Sequence, residues 1–457
     1  MPGRLDRKAL EGLVRKGEID TVLTVFPDGY GRLMGKRLTA RHFLEHALDD
    51  GVHACIYLFT VDMEMEPLPG FTLTSWERGY GDMKMVPDMG TLRVIPWLAK
   101  TALVFCDVYT EDGEPVEEAP RWVLKRQIAR AAAHGYVVKT AAELELYCFR
   151  ETFEEARAKR YQNLTPFSTY LEDYHILQTT KEEPLVRAIR NGMEAADVPV
   201  ETSKGEWGRG QEEINLVYAE ALEMADRAVL YKHGAKEIAH LQGCSLTFMA
   251  KYDMGAAGSS FHLHSSLWDK TGRKPLFATN GKGHKTALPP LFGQWLAGQM
   301  AMARELAYFY APGVNSYKRY QSGSFAPTRV AAGWDNRTCG FRLCGEGAGF
   351  RVENRIPGAD GNPYLAFAAT IAAGLHGIAT KLKTPKLYEG NAYEDATLPQ
   401  VPKTLREAIG ELERSKVARA ALGDRVVDHY LHTARLEQQA FDQAVTDWEL
   451  IRNFERI

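Results

Sequence analysis

The run GSSFHLHSS at residues 258–266 sets His262 and His264 two positions apart within a stretch of strand-like composition. Side chains at i and i+2 of a strand leave from the same face, so both imidazoles must furnish one side of a sheet. A second run does the same with acids. Residues 143–149 read ELELYCF, glutamates alternating with leucines. That period of two turns Leu144 and Leu146 toward a core and Glu143 and Glu145 toward a shared cavity. A chain carrying both runs has to build a sheet with one polar face, the kind that lines a metal or phosphate pocket.

At 457 residues the chain exceeds one ordinary core, which predicts two domains, one of them large. Hydrophobic residues make up 45% and charged residues 25%, the balance of a globular protein. A formal net charge of −3 gives no drive toward nucleic acid or an anionic membrane. The six cysteines (55, 106, 148, 244, 339 and 344) include no C-x-x-C pair, a pattern of reduced thiols rather than a disulfide framework or zinc knuckle. The N-terminal residues are charged throughout, and the longest apolar run, around 364–375, is too short to span a bilayer. A cytoplasmic location is expected.

An amphipathic helix opens the chain, followed by strand-like runs at 21–26 and 102–108, with a turn at 27–31 and a loop at 64–81. The polar stretch EDGEPVEEAP at 111–120 precedes a helical pattern at 121–134 and marks a domain boundary, giving domains of 1–112 and 113–457. Further helices are expected at 183–196, 216–240, 363–382 and over most of 405–450. Extended segments are expected at 245–251, 261–268 and 350–355. The mixture predicts an α+β fold with a mainly antiparallel sheet in the large domain, flanked by helices.

More candidates for chemistry lie along the chain. Glu206 and Glu213 bracket the glycine-bearing turn GEWGRGQEE, which can bring two carboxylates to one point. Glu353 sits between Arg351 and Arg355 in FRVENRIPG, so all three share a strand face. NSYKR at 315–319, with Arg337 and Arg342, adds further guanidiniums. Carboxylates and histidines without ligating cysteines favour a hard or borderline cation, Mg²⁺ or Mn²⁺, over structural zinc. Arginines beside such cations suit phosphoryl groups. No P-loop or kinase-type glycine loop is present.

Taken in order, these segments resemble the glutamine synthetase family across essentially the whole chain. GDMKMVPD at 81–88, VIPW at 94–97, ELELY, the turn ending GQEE, GSSFHLHSSL, NSYKRY, DNRT and RVENRIPGADGNPYLAF follow in the family's order. The resemblance implies a small N-terminal β-grasp domain and a large catalytic domain. It also implies a dodecamer of two stacked hexameric rings, with each active site completed by a neighbouring subunit. It implies ATP as co-substrate and two or three Mg²⁺ or Mn²⁺ ions per site. Carried over by position, Glu145, Glu206 and Glu213 would hold one cation, and Glu143, His262 and Glu353 a second. His264 and Ser266 would contact the nucleotide, together with Arg342 and Arg351. Gly258, Arg319 and Arg355 would grip glutamate, and Arg337, Arg342 and Arg351 would neutralise the transferring phosphate. The implied chemistry is formation of γ-glutamyl phosphate, followed by attack of a nitrogen nucleophile.

The chain departs from that family where ammonium would bind. The flap between NSYKR and the next Ala-Pro normally carries a glutamate; here it reads NSYKRYQSGSFAP, with Phe325 at that position. The N-terminal loop that normally donates an aspartate reads PLPGFTLTSW at 67–76, without an acid. Ala257 replaces the asparagine usual before Gly258. Losing two anions should weaken an ammonium site by about 1–3 kcal/mol each. Phe325 offers apolar surface for a carbon chain instead. These departures point to the γ-glutamyl-amine ligase branch, which joins glutamate to ethanolamine, polyamines or other primary amines. The alternatives are a glutamine synthetase with an improvised ammonium site and a catalytically silent structural or regulatory member. Candidates for the base that deprotonates the amine are Tyr320, Ser324, Asp335 and Glu64 or Glu66. Tyr393, near the position of a regulatory tyrosine in some bacterial members, reads as an ordinary loop residue.

Overall fold

A computed structural model describes residues 3–279 and 287–457. The first sheet contains β1 (Thr21–Pro27), β2 (Leu33–Thr39), β3 (Val52–Cys55), β4 (Asp82–Pro87), β5 (Arg93–Val94) and β6 (Thr101–Thr110). Its strand order is β2-β1-β6-β4-β3, with β5 alongside β6. Only β1 and β6 run parallel. The alternation of β1 and β6 divides their side chains between two cores. Val22, Phe26, Ala102, Val104 and Cys106 pack with the helix Arg7–Arg15 side, while Leu23, Val25, Leu103 and Phe105 join the main core of the molecule.

The second sheet contains β7 (Tyr136–Phe149), β8 (Val200–Gly205), β9 (Gln211–Leu216), β10 (Ala219–Glu220), β11 (Ser245–Thr247) and β12 (Phe261–Asp269). It is completed by β13 (Ala332–Trp334), β14 (Phe341–Cys344) and β15 (Arg351–Asn354). The order is β13-β14-β15-β12-β7-β9-β8, antiparallel except for β13 beside β14. One face carries Leu144, Leu146, Phe261, Leu263 and Leu267, all 0 or 1% exposed, against helices. The α+β expectation with a mainly antiparallel large sheet therefore holds.

Helix Pro363–Ala379 is apolar all round and nearly fully buried, as a helix surrounded by other helices must be. It touches Pro290–Met302 so closely that glycines form the contact. A Cβ on Gly298 would come 2.7 Å from the Gly377 nitrogen. Between the two sheets, buried Arg121 donates to Asp88 (2.7 Å) and Asp107 (2.5 Å) of the first region and to Asp226 (3.2 and 3.1 Å) of helix Ala221–Leu241. Breaking such a buried set strands unpaired charge, which costs about 3–5 kcal/mol.

Helical periodicity predicted a helix from residue 216, but Leu216 ends β9 and the helix starts at Ala221. The pairing of Ala219 and Glu220 with β7 claims those residues for the sheet. The helix runs over 405–450 as four pieces, Leu405–Arg414, Lys416–Leu422, Asp424–Gln443 and Asp447–Asn453. Ser415 starts one of them by accepting from the Ala418 amide, and Gly423, at φ 92°, permits the break before the next.

Gly298→Ala is expected to lower the denaturant midpoint by the equivalent of about 1–3 kcal/mol, the usual cost of an extra methyl in a close-packed contact. A midpoint unchanged in urea unfolding would refute a glycine-dependent helix crossing.

Candidate active site

Strand register assembles the polar patch. β7 pairs with β12 so that Glu143 stands opposite His262, and with β9 so that Glu145 stands opposite Glu213. β15 sets Glu353 opposite His264, and β14 sets Arg342 opposite the same Glu353. Opposed residues on one sheet face have Cβ atoms about 5 Å apart, so residues remote in sequence become one cluster. Glu206 enters from the turn after β8.

Oxygens of Glu145, Glu206 and Glu213 lie within 4.8 Å of one another. Oxygens on opposite sides of a Mg²⁺ ion, each at about 2.1 Å, stand about 4.2 Å apart, so this trio fits a shared hard cation. Glu145 accepts from the Ser260 amide at 2.8 Å and from Gln211 Nε2 at 3.2 Å. Burial, and then the neighbouring Glu206, push its carboxyl up to about 8. Burial and the three surrounding glutamates raise Glu213 well above the ordinary range. Burial raises Glu206 too, against the pull of Lys204, whose Nζ stands 2.5 Å from it.

The other expected ligands lie next to this trio. His262 Nδ1 stands 3.5 Å from Glu143 and 3.7 Å from Glu353, and its buried Nε2 has no partner. Burial and Arg355 lower the His262 imidazole to about 4, so the ring is neutral at pH 7, the form that ligates metal. Ligand atoms come within 4.8 Å of one another in Glu143 with Glu213 and His262, and in Glu143 with His264 and Glu353, while the expected trio of Glu143, His262 and Glu353 is not such a group among the described residues. Glu143 therefore stands between both. Despite burial, Arg355 and the histidines hold Glu353 well below the usual carboxylate range.

The guanidiniums around Glu353 differ from the sequence expectation. Arg355 reaches it at 2.5 Å, as a shared strand face requires, but the second partner is Arg342 at 2.7 Å, not Arg351. The cross-strand neighbour on β14 is closer than the same-strand residue at i−2. Arg351 instead donates to His264 Nδ1 at 3.1 Å.

Two cavities meet at Glu143, which lines both. The first, about 160 Å³, has the size of a small acid and is walled by the carboxylates, Gly258, His262, Arg337, Arg342, Arg355 and Phe325. The second, about 470 Å³, lies in the range of a nucleotide-sized ligand and is walled by His264, Ser266, Arg351, Tyr218, Trp268 and Phe350. His264, Ser266 and Arg351 thus gather apart from Arg342, which stays on the first wall. Arg319 lies behind the wall. It is 1% exposed, with its guanidinium on Ser260 Oγ and the carbonyls of Arg355, Ile356 and Pro357. Gly258 permits that closeness, because a Cβ there would stand 3.0 Å from Arg319 Cδ and 2.9 Å from the Ala250 carbonyl.

At the mouth, Phe325 is 46% exposed and its ring meets Trp207 at 5.9 Å and 68°. Its backbone is left-handed, φ 58°, a conformation that costs an L residue about 1–2 kcal/mol. Arg355 donates to the Phe325 carbonyl at 3.2 Å, and Tyr393 donates to the Ala326 carbonyl at 3.0 Å, so the loop is held from both sides. Among the base candidates only Ser324 lines this cavity. Tyr320 donates to the Ile356 carbonyl at 2.8 Å, and Asp335 pairs with Arg342 at 2.5 Å. No residue of the first sheet lines the cavity. The loop at 67–76 turns Phe71 onto His429 and His432.

Sequence reasoning missed Asp173, Tyr174, Lys204 and Trp207, all on the first wall. Lys204 and Trp207 flank Glu206 and were within reach of the GEWGRG signal. Asp173 and Tyr174 sit in an irregular segment without periodicity. Next to them, Glu172 gathers with Glu182 and with Glu212, the neighbour of Glu213 on β9. All three are 0 or 1% exposed. Burial pushes Glu182 up to about 9 and Glu212 up to about 8, so they retain protons at neutral pH. Gly205 lets the segment close on β8, since a Cβ there would come 2.7 Å from Glu172 Cγ.

Residues 117–453 match the glutamine synthetase catalytic domain. The chain is 50% identical over 448 residues to gamma-glutamylethanolamide synthetase GlnA4 of Streptomyces coelicolor, covering 98% of this chain and 95% of that protein. It is 37% identical to the glutamate–isopropylamine ligase of a Pseudomonas species, over 96% of each. It is 32% identical to a glutamine synthetase of Clostridium saccharobutylicum, again over 96% of each. Among solved structures, a GmaS/ADP complex superposes with a TM-score of 0.84 at 27% identity, covering 98% of this chain and 99% of that one.

The raised carboxyls fix a pH dependence. An unfolded glutamate loses its proton near 4.3, whereas Glu145 keeps its own up to about 8 in the metal-free fold. Between those values the folded state binds more protons, so metal-free stability falls as pH rises. A divalent cation replaces those protons, so the thermal midpoint gained on replacing EDTA with Mn²⁺ should be larger at pH 8 than at pH 6. Equal gains would refute the raised Glu145 carboxyl.

Proposed function

The chain belongs to the glutamine synthetase family, and from that premise we propose that it joins the γ-carboxylate of glutamate to a primary amine, with ATP as the source of activation. The observation that carries the choice of acceptor is the aromatic lip of Phe325 and Trp207 over the acid cluster. Apolar surface there rewards a carbon chain on the nucleophile and gives ammonium no charge to pair with. The ligases for ethanolamine and isopropylamine among the relatives support the same reading.

We assign Glu145, Glu206 and Glu213 to one divalent cation, and Glu143, His262 and Glu353 to another. When bound, such cations polarise phosphoryl oxygens and offset their charge. Carboxylates with one histidine suit either Mg²⁺ or Mn²⁺. His264, Ser266 and Arg351 form the nucleotide side, with glutamate in the smaller cavity against Gly258 and Arg355, and Arg319 as the buttress behind them. A γ-carboxylate oxygen of glutamate attacks the terminal phosphorus of ATP, the bond to ADP breaks, and γ-glutamyl phosphate forms. Arg337 and Arg342 lie where charge on the transferring group needs offsetting. The amine nitrogen then attacks the acyl carbon, phosphate leaves, and the nitrogen gives up a proton to yield the amide.

The reading extends to organisation. We place the domain division at 112/113, between the end of β6 and the helix Pro120–Ala133. We assign a homo-oligomer, two stacked hexameric rings, in which a neighbour closes the first cavity. The exposed Trp76 and Met63 of the N-terminal loops support that assignment. All six cysteines are free, which suits the cytoplasm, and among the described residues no helix is long and apolar enough to cross a membrane.

Phosphate release with glutamate and ATP should be fast with ethanolamine or another primary amine and at least tenfold slower with ammonium. The opposite order would make the protein a glutamine synthetase, and silence with every amine in the metal-loaded protein would make it a structural or regulatory member. Phe325→Glu should lower kcat/KM for ethanolamine by about tenfold or more, the effect of about 1.4 kcal/mol, and raise turnover with ammonium. A variant that keeps the wild-type acceptor order would remove Phe325 from acceptor choice.

A further inference from the structure

The face of β9 turned away from the catalytic cluster carries acids of its own. Strand pairing sets Glu212 opposite Leu146, on the side of the sheet that packs against helices. There the oxygens of Glu172, Glu182 and Glu212 come within 4.8 Å of one another, fully enclosed. Buried carboxyls ordinarily find donors; these do not. Both oxygens of Glu172, both of Glu182 and one of Glu212 lack a hydrogen-bond partner, and none of the three forms an ion pair among the described residues. The cations around them are engaged elsewhere: Arg190 on Glu183, Lys204 on Asp173 and Glu206, and Arg150 on the Phe167 carbonyl. Two donors beside Glu172 are spent as well, Ser168 on the Tyr170 carbonyl and the Gln211 amide on that of Gly208. A separate group points the same way. Tyr231, on helix Ala221–Leu241, is 0% exposed and its hydroxyl has no partner. Burial, then Cys148 and Glu212, raise that hydroxyl well above its ordinary range, which puts it beside the Glu212 charge.

We propose that Glu172, Glu182 and Glu212 hold a hard divalent cation outside the catalytic centre, and that this ion pins residues 164–182 to β9. A donor set of oxygens alone selects Ca²⁺, Mg²⁺ or Mn²⁺ over zinc, and donors from an irregular segment suit the adaptable coordination of Ca²⁺ best. Opposite oxygens at about 2.4 Å from Ca²⁺ stand about 4.8 Å apart, so the trio can share one ion. Cys148 does not compete for it, because burial, then Glu182 and Glu212, keep its thiol protonated. An open cavity of about 560 Å³ between β8 and helix Glu183–Ala195 reaches Glu212 and gives the ion a way in. Without the ion, protons on Glu182 and Glu212 take its place. Its effect on the reaction is one of position: Asp173 and Tyr174, on the wall of the first cavity, directly follow Glu172 in the chain. Which nucleophile the enzyme takes has no bearing on this site.

The test uses the full chain, with Ca²⁺ as the probe and hydrogen exchange of residues 164–182 as the readout. Ca²⁺ at ten times its Kd should slow exchange there about tenfold, the effect of binding on a local opening. The slowing should persist in Glu145→Gln/Glu213→Gln, which removes two carboxylates of the neighbouring catalytic trio, and vanish in Glu172→Gln/Glu182→Gln. Equilibrium dialysis should find one Ca²⁺ fewer per chain in the second variant than in the wild type. The site does not exist if exchange in the wild type ignores Ca²⁺. Nor does it exist if Glu145→Gln/Glu213→Gln abolishes the slowing, since the catalytic cation would then be the cause. Equal Ca²⁺ counts in the wild type and Glu172→Gln/Glu182→Gln would overturn it too. Should Glu172→Gln/Glu182→Gln fail to fold, the comparison of the wild type with Glu145→Gln/Glu213→Gln still decides.

Discussion

Like charges forced together by strand register govern this molecule. Backbone hydrogen bonds between β7 and β9 set Glu145 directly opposite Glu213, an arrangement that is unfavourable on a sheet unless something offsets it. Burial removes the water that would otherwise screen the pair. Protons or cations are then the only remaining answer, and the raised carboxyls of Glu145 and Glu213 express that need. On the neighbouring strands the opposite solution operates. Arg342 and Arg355 grip Glu353 and keep it ionised without help from a metal. One sheet thus holds a half whose carboxyls are raised by burial and like charge and an arginine-neutralised half, joined through Glu143.

How much of this was legible in the sequence follows from the period of two. Wherever acids or histidines recur at i and i+2, as in ELELY and FHLH, the facing was readable, and the structure turns those residues to one side. Which strands stand side by side was not readable from period alone, because register depends on partners far away in sequence. Arg342 is the plain case: it replaces Arg351 beside Glu353 because β14 lies next to β15. The resemblance to glutamine synthetases supplied the grouping of ligands that local pattern could not.

Asp173 and Tyr174 escaped notice for a different reason. Their segment has no regular period, and Glu172 beside it in sequence meets Glu182, beyond the helix Ile176–Thr179, and Glu212 of β9 in a buried group. Sequence patterns treat glutamates as surface residues, so a buried trio in which Glu182 and Glu212 retain protons runs against the usual rule. Arg319 is the opposite case. Its motif marked it as a substrate contact, and in the fold one of its terminal nitrogens donates to backbone carbonyls behind the cavity.

The backbone at Phe325 has a consequence for how new specificities arise. Because its φ of 58° is unfavourable for any residue with a Cβ, the position already carries a conformational cost. Glycine or asparagine would relieve that cost while enlarging the opening. Most active-site positions trade stability for novelty; here the chain can become roomier and less strained in the same step. The lip of the cavity at Phe325 is therefore free to change in bulk, while the carboxylate-bearing sheet behind it, locked by register, has no comparable freedom.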